Sequence, residues 1–328
     1  MLHIHNGDSS ANIARRASLP GEQFAFREAL IEGPSPAAYK DANDGGWLVR
    51  ARHLWSAYGL DLKECSEGLR AQEQKLTSFR EHDEVVLWFE HDLFCQIHLI
   101  YLIDWFASRE VGDTKLSLIC IGEFSGKEEF RGLGELTPEE LASLFPVRKQ
   151  ITQEQLDLAT AAWTAYCSDD PTNLQQLLET DCSSLPFVSK ALGIHLQRFP
   201  STRNGLGRIE DTALRLIDDG AISFSELFPR FVEVEALYGL GDAQLWLTLR
   251  RMHQVRNPMF TIRDDAPMDK EISATAVFEI SSAGKAVLNA ETDFVVLNGI
   301  ENWLGGVHLS GRKRVWRWDE ESETLIFR

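Results

Sequence analysis

Three short apolar runs, each stopping at a group of polar and charged residues, constrain this chain more than any other feature. Leu2-His3-Ile4-His5-Asn6 breaks into Gly7-Asp8-Ser9-Ser10. Gln23-Phe24-Ala25-Phe26 runs into Arg27-Glu28 and then Glu32-Gly33-Pro34, and Val85-Val86-Leu87-Trp88-Phe89 runs into Glu90-His91-Asp92. Runs of this length and composition read as strands. Strands alternating with helices imply a parallel sheet with right-handed crossovers, which brings all the carboxyl ends to one edge. That edge is where open α/β sheets bind ligands.

The stretches between the runs have helical grammar. Asp8 or Ser9 is expected to cap a helix over 10–17, and Pro20-Gly21 ends the connection before the second strand. Residues 33–46, rich in Pro, Gly, Asp and Asn, form a loop that could fold over the sheet edge as a lid. Helices are predicted over 47–58 and 62–81, the latter with Leu69, Leu76 and Phe79 at helical spacing. The longest apolar run, 93–106, contains Gln96, His98 and Asp104 and is too short for a bilayer span, so it reads as a buried helix. A fourth strand is predicted over 115–121.

From Leu136 the pattern becomes helical. Thr137-Pro138-Glu139-Glu140 and Thr152-Gln153-Glu154-Gln155 are capping boxes, and Asp170-Pro171 and Ser184-Leu185-Pro186 open two further helices. After Pro200 come helices near 209–218, 225–231 and 242–255, then strand-like runs 258–263 and 276–280 around an acidic loop, and a helix opened by Ser281-Ser282-Ala283-Gly284-Lys285. Three helices followed by a two-stranded ribbon is the order of a winged helix. A hairpin, 315–318 with 324–327, closes the chain and puts Trp316 and Trp318 on one face. The expected division is a Rossmann-like α/β domain over 1–135, a helical connector over 136–199, and a winged-helix-like α+β domain with a terminal β-hairpin over 200–328.

Composition excludes several functions. The 328 residues carry a formal net charge of −17 with a pI near 5.0, a surface that repels phosphate backbones and anionic membranes. Nucleic acid is thereby disfavoured as a partner, membrane binding is not expected, and a small-molecule ligand is favoured; the sequence leaves oligomeric state open. Five cysteines, at 65, 95, 120, 167 and 182, are an odd number without close pairing, which speaks for a reducing compartment. With no basic and apolar leader at the amino terminus, a cytoplasmic location is expected.

The first-strand turn His5-Asn6-Gly7-Asp8-Ser9, the pair Phe26-Arg27-Glu28 with Glu32-Gly33-Pro34, and Trp88-Phe89-Glu90-His91-Asp92 with Gln96 resemble a bacterial family known only as a domain of unknown function, family 1835 of that series. The tail, Asn298-Gly299-Ile300 through Trp303-Leu304-Gly305-Gly306-Val307-His308-Leu309 and Trp316-Arg317-Trp318-Asp319, resembles the usual carboxyl-terminal extension of those proteins. The resemblance covers most of the chain and brings no activity with it.

The chemistry is therefore read from residue types. Asp8, Glu28, Glu32, Glu90 and Asp92 are carboxylates at strand ends, Arg27 is the one fixed cation among them, and Asn6, Ser9, His91 and Gln96 donate or accept hydrogen bonds. Carboxylates brought together bind a cation, pair with Arg27, or hold a proton. Hard oxygen ligands favour Mg²⁺ or Mn²⁺ over zinc. Asp8, Glu90, His91 and Asp92 are the catalytic candidates; Asn6, Gly7, Ser9, Arg27, Glu28, Glu32 and Gln96 are the ligand contacts. The competing reading makes Arg27 the partner of one carboxylate and Asp8 a helix cap. The turn at Gly7 suits a phosphate at a helix amino terminus, although it carries neither GxxxxGK[ST] nor GxGxxG. His3 and His5 share a strand face but read as structural, and Cys95 reads as a packing residue. In the would-be recognition helix, Arg250, Arg251, His253 and Arg256 are offset by Glu233, Glu235, Asp242, Asp264, Asp265 and Asp269, so that module reads as a packing or partner-binding unit more than a DNA reader.

These features favour binding and hydrolysis of a small phosphorylated or nucleotide-like ligand at the sheet's carboxyl edge. The alternative is a ligand-sensing regulator that acts through the carboxyl-terminal module.

Overall fold

The computed structural model describes residues 1–35, 45–263 and 268–328. Its first part runs β1 (Leu2–Asn6), α1 (Asp8–Arg16), β2 (Glu22–Phe26), α2 (Gly45–Tyr58), α3 (Leu62–Thr77), β3 (Glu84–Glu90), α4 (Leu93–Ala107) and β4 (Lys115–Ile121), then α5 (Pro138–Leu144) and β5 (Lys149–Gln150). The five strands form one sheet in the order β2-β1-β3-β4-β5. β1 pairs in parallel with both β2 and β3, and β3 with β4; only the two-residue β5 runs antiparallel. The parallel arrangement expected from the three apolar runs is present, and Asn6, Phe26 and Glu90 end their strands at one edge.

The reason is legible in the strands themselves. Val85 through Phe89 are all buried, the pattern of a central strand covered on both faces. α4 supplies part of that cover. Its apolar residues run around the whole circumference, interrupted by Gln96, His98 and Asp104, and thirteen of its fifteen residues are buried, because α6 (Gln153–Tyr166) and α8 (Val188–Leu196) pack on it. With α7 (Thr172–Leu178) these helices form the segment predicted as a connector, and they share one continuous apolar core with the sheet.

The remainder comprises α9 (Arg208–Asp218), β6 (Ile222–Ser223), α10 (Phe224–Val234), α11 (Asp242–His253), β7 (Phe260–Ile262) and β8 (Val277–Ile280), followed by α12 (Ser282–Leu288), α13 (Phe294–Asn298) and two hairpins, β9 (Ile300–Leu304) with β10 (Val307–Gly311) and β11 (Trp316–Asp319) with β12 (Thr324–Phe327). β6, β8 and β7 form an antiparallel sheet in that order. Among the described residues no helix is long and apolar enough to cross a membrane.

Several boundaries differ from the sequence reading. The first helix begins at Asp8, with Gly7 in the cap position at φ 89° and no side-chain cap; the Asp8 carboxylate is drawn away by Arg27. The helix over 62–81 ends at Thr77 and tightens into a 3₁₀ turn. β5 and β6 are two residues long, too short for a period to show, and the β9–β10 hairpin has no counterpart in the sequence reading. Trp316 and Trp318 share a half-buried face of β11 as expected, while Arg317 between them is buried and paired with Asp293 at 2.8 Å. Most of the proposed lid, 36–44, and the acidic Asp264 and Asp265 lie outside the described residues.

Candidate functional site

β1 has β2 on one side and β3 on the other, so the carboxyl ends of β1 and β3 flank the point where strand order reverses. In open α/β sheets this switch point opens a crevice. Glu90 ends β3 there. Asp92 follows as the N-cap of α4, its Oδ1 accepting the Cys95 N–H at 2.9 Å. One carboxylate oxygen of each residue and the Cys95 Sγ lie within 4.8 Å of one another. All three residues are buried, at 7%, 7% and 4% exposure.

A chain of hydrogen bonds fixes the group. The Leu30 N–H donates to His98 Nε2 at 3.3 Å, so the ring proton sits on Nδ1 and reaches Asn6 Oδ1 at 2.6 Å. That turns the Asn6 amide nitrogen toward Cys95 Sγ, 2.6 Å away. The thiol donates to Glu90 Oε2 at 2.7 Å, and the Leu133 N–H reaches Glu90 Oε1 at 2.7 Å. His98 cannot supply positive charge, since burial lowers its pKa to about 3. Neither Glu90 nor Asp92 has an ion-pair partner among the described residues.

Two buried carboxylates without an ion pair resist ionisation. Burial, and then the Asp92 charge, push Glu90 up to about 7; burial also raises Asp92. Burial followed by these two charges holds the Cys95 thiol well above the ordinary range. Burial thus disfavours the charged form of all three groups.

A cavity of about 430 Å³ opens on it. Asn6, Glu90, Asp92 and Cys95 line one side, Arg131 to Glu135 a second, and residues 231–244 of the carboxyl-terminal part a third. Three helix amino termini border this space: α1 through Ser9 and Ser10, α4 through Phe94 and Cys95, and α11 through Gly241 and Gln244. Each brings the positive end of a helix dipole, although the Cys95 N–H is taken by Asp92 Oδ1 and the Gly241 N–H by Gln244 Oε1. Gly239 closes the wall at φ 63°, where a Cβ would overlap Asp92 Oδ1. At Gly132, φ 154°, a Cβ would stand 2.9 Å from Glu90 Oε1.

Of the residues expected at the site, Asn6, Ser9, Glu90 and Asp92 line this cavity. Gly7 shapes the turn beside it. Gln96 is buried behind it, donating to the Glu90 carbonyl at 2.5 Å. The others lie elsewhere, which corrects the expectation that they converge. Asp8 and Arg27 form a bidentate pair, both bonds 2.6 Å, in solvent outside the cavity, and that bond lowers the Asp8 pKa. Glu28 is held by Arg50 at 2.6 Å with both side chains buried. Glu32 is held by Arg198 at 2.9 Å and Arg251 at 3.2 Å. His91, just past the end of β3, packs between Phe130 and Phe187.

His3 and His5 are structural: His3 bonds Pro20 O and accepts from Trp88 Nε1, and His5 bonds Gln23. Cys95 is buried as the sequence reading expected and also lines the cavity, which that reading did not foresee; its position in the first turn after a strand-end carboxylate was the available signal. The segments 131–135 and 231–244 carried only weak ones, Gly132-Leu133-Gly134 and Gly239-Leu240-Gly241. No family model matches the chain, and no curated protein matches it.

Proposed function

We propose that the protein binds a small phosphorylated or nucleotide-like ligand in the cavity at the carboxyl edge of its parallel sheet and hydrolyses it with the help of a divalent metal. The observation that carries this reading is the pair Glu90 and Asp92, buried, without a counter-ion, and bordered by three helix amino termini and Arg131. Carboxylates alone would repel a phosphate; helix termini alone would not need carboxylates. Both in one cavity suit an anion bridged to a cation.

Glu90 and Asp92 would hold the metal, with Cys95 tilting the donor set from Mg²⁺ toward the softer Mn²⁺. The metal would supply Lewis acidity at a phosphoryl oxygen and neutralise charge. The chain's own groups do the rest. N–H groups at the starts of α1 and α11 and the Arg131 guanidinium hold phosphate oxygens.

The test is a thermal melt with Mn²⁺, Mg²⁺ or Zn²⁺ alone, then with a nucleoside diphosphate added, alongside assay of phosphate release. Saturation at about a hundred times Kd should add about 2.7 kcal/mol, and Asp92→Asn should remove the response. A chain whose melt ignores all three ions, and which releases no phosphate, overturns the proposal.

The second reading keeps the cavity and makes its output regulatory. Its support is that α10 and α11 form one wall of the cavity, and that α9, β6, α10, α11, β7 and β8 with sheet order β6-β8-β7 follow the order of a winged helix. The basic face of α11 is engaged inward, however: Arg250 donates to Ala57 O at 2.7 Å and Arg251 pairs with Glu32. That favours a protein partner over DNA. A cytoplasmic location and membership in the domain-of-unknown-function family are proposed on the same footing, the latter from its motif residues.

A further inference from the structure

A second pocket, sharing only Gln244 with the lining of the sheet-edge cavity, lies where α2 meets α11. Its volume is about 430 Å³, within the range of small-molecule sites. Leu54, Ala57, Leu60, Leu247 and Ile272 give it an apolar body, and Leu60 and Ile272 remain 50% and 38% exposed.

The charges at its wall do not balance. Arg250 is only 8% exposed, yet it forms no ion pair among the described residues. Its bond to Ala57 O uses one of five N–H donors and caps the carboxyl end of α2. A helix terminus offers about half a charge; the adjacent Arg251 adds repulsion, and the Asp269 carboxylate offsets part of the remaining charge without bonding to the guanidinium. Lys270, across the pocket, also has no carboxylate partner among the described residues and bonds Trp55 O at 3.1 Å. The other charged groups on the wall are already neutralised, Glu28 by Arg50 and Arg27 by Asp8.

Enclosing a cation without a bonded carboxylate is costly, and here it occurs in a chain of net charge −17, where carboxylates are plentiful. We propose that this pocket is a second ligand site which takes a small carboxylic acid with an apolar body, the acid on Arg250 and the body against Leu54, Leu247 and Ile272. A desolvated guanidinium meeting a carboxylate forms charge-assisted, often bidentate bonds, so the acid supplies what the wall lacks.

Octanoate and octanol separate the charge from the chain. Titrated into the full-length protein and followed by tryptophan fluorescence, octanoate should bind about tenfold or more tightly than octanol. Arg250→Met should bind the two alike and melt no lower than the parent, since it removes an undercompensated buried charge. Should Arg250→Met fail to fold, Lys270→Met, at an exposed position, should reduce the preference for octanoate several-fold. Equal affinity of the parent for the two probes overturns the proposal, as does a preference that survives in both variants.

Discussion

Replacing Glu90 by glutamine probes whether an uncompensated carboxylate sits at the end of β3. A carboxylate raised from its usual 4.5 to about 7 is disfavoured in its charged form by about 3 kcal/mol, at 1.36 kcal/mol per tenfold change in proton affinity. The folded state then binds more protons than the unfolded state between about pH 4.5 and 7, so stability falls as pH rises through that window and is flat above it. The amide of the Glu90→Gln variant carries no charge to desolvate. Its one carbonyl oxygen cannot serve both the Leu133 N–H and the Cys95 thiol, and the lost hydrogen bond is worth about 1 kcal/mol. The net expectation without metal is a gain of about 2 kcal/mol at about pH 8 and a loss of about 1 kcal/mol at about pH 4. Urea unfolding of both proteins at several pH values in the presence of a chelator reads this directly. A difference that does not change with pH, or a less stable variant at the alkaline end, would refute the placement of an uncompensated buried carboxylate at Glu90.

Asp8→Asn should change stability by no more than about 0.5 kcal/mol in urea melts, because the side chains of the Arg27–Asp8 pair are exposed, at 64% and 48%, and such pairs contribute little. Glu32→Gln should be severe, about 3 kcal/mol or more, since it leaves Arg198 buried without its partner; a loss under about 1 kcal/mol would contradict that. Gly239→Ala forces a left-handed conformation and a clash with Asp92, and should lower stability by about 1–3 kcal/mol while weakening any Mn²⁺ response. Gel shifts of the full-length protein at low salt should show no tight, salt-sensitive retardation of duplex DNA, and finding it would overturn the inward placement of α11.

Much of the architecture is written in local pattern. The parallel sheet follows from Leu2–Asn6, residues 23–26 and 85–89, where apolar runs alternate with helical periods, and the depth of α4 follows from apolar residues on every side of it. The capping boxes at Thr137 and Thr152 are formed as their spacing dictates. What stayed hidden has a physical reason as well. A two-residue strand such as β6 exists only because β8 passes beside it. The Asp8 cap failed because a guanidinium nineteen positions away competes for the same oxygens.

The same competition explains why the candidate site could be placed but not populated. Five carboxylates stand at or near the strand ends, and nothing in their spacing distinguishes them. The fold sorts them by which ones an arginine can reach. Arg27 takes Asp8, Arg50 takes Glu28, and Arg198 with Arg251 takes Glu32; the last two partners lie 166 and 219 positions along the chain. Glu90 and Asp92 are left over. A buried carboxylate held by a guanidinium is neutralised by the protein itself and has no need of a ligand, whereas one held only by a thiol and backbone N–H groups needs a proton or a cation. The unpaired carboxylates therefore mark the cavity, and the same reasoning with the sign reversed singles out Arg250 in the pocket beside α2.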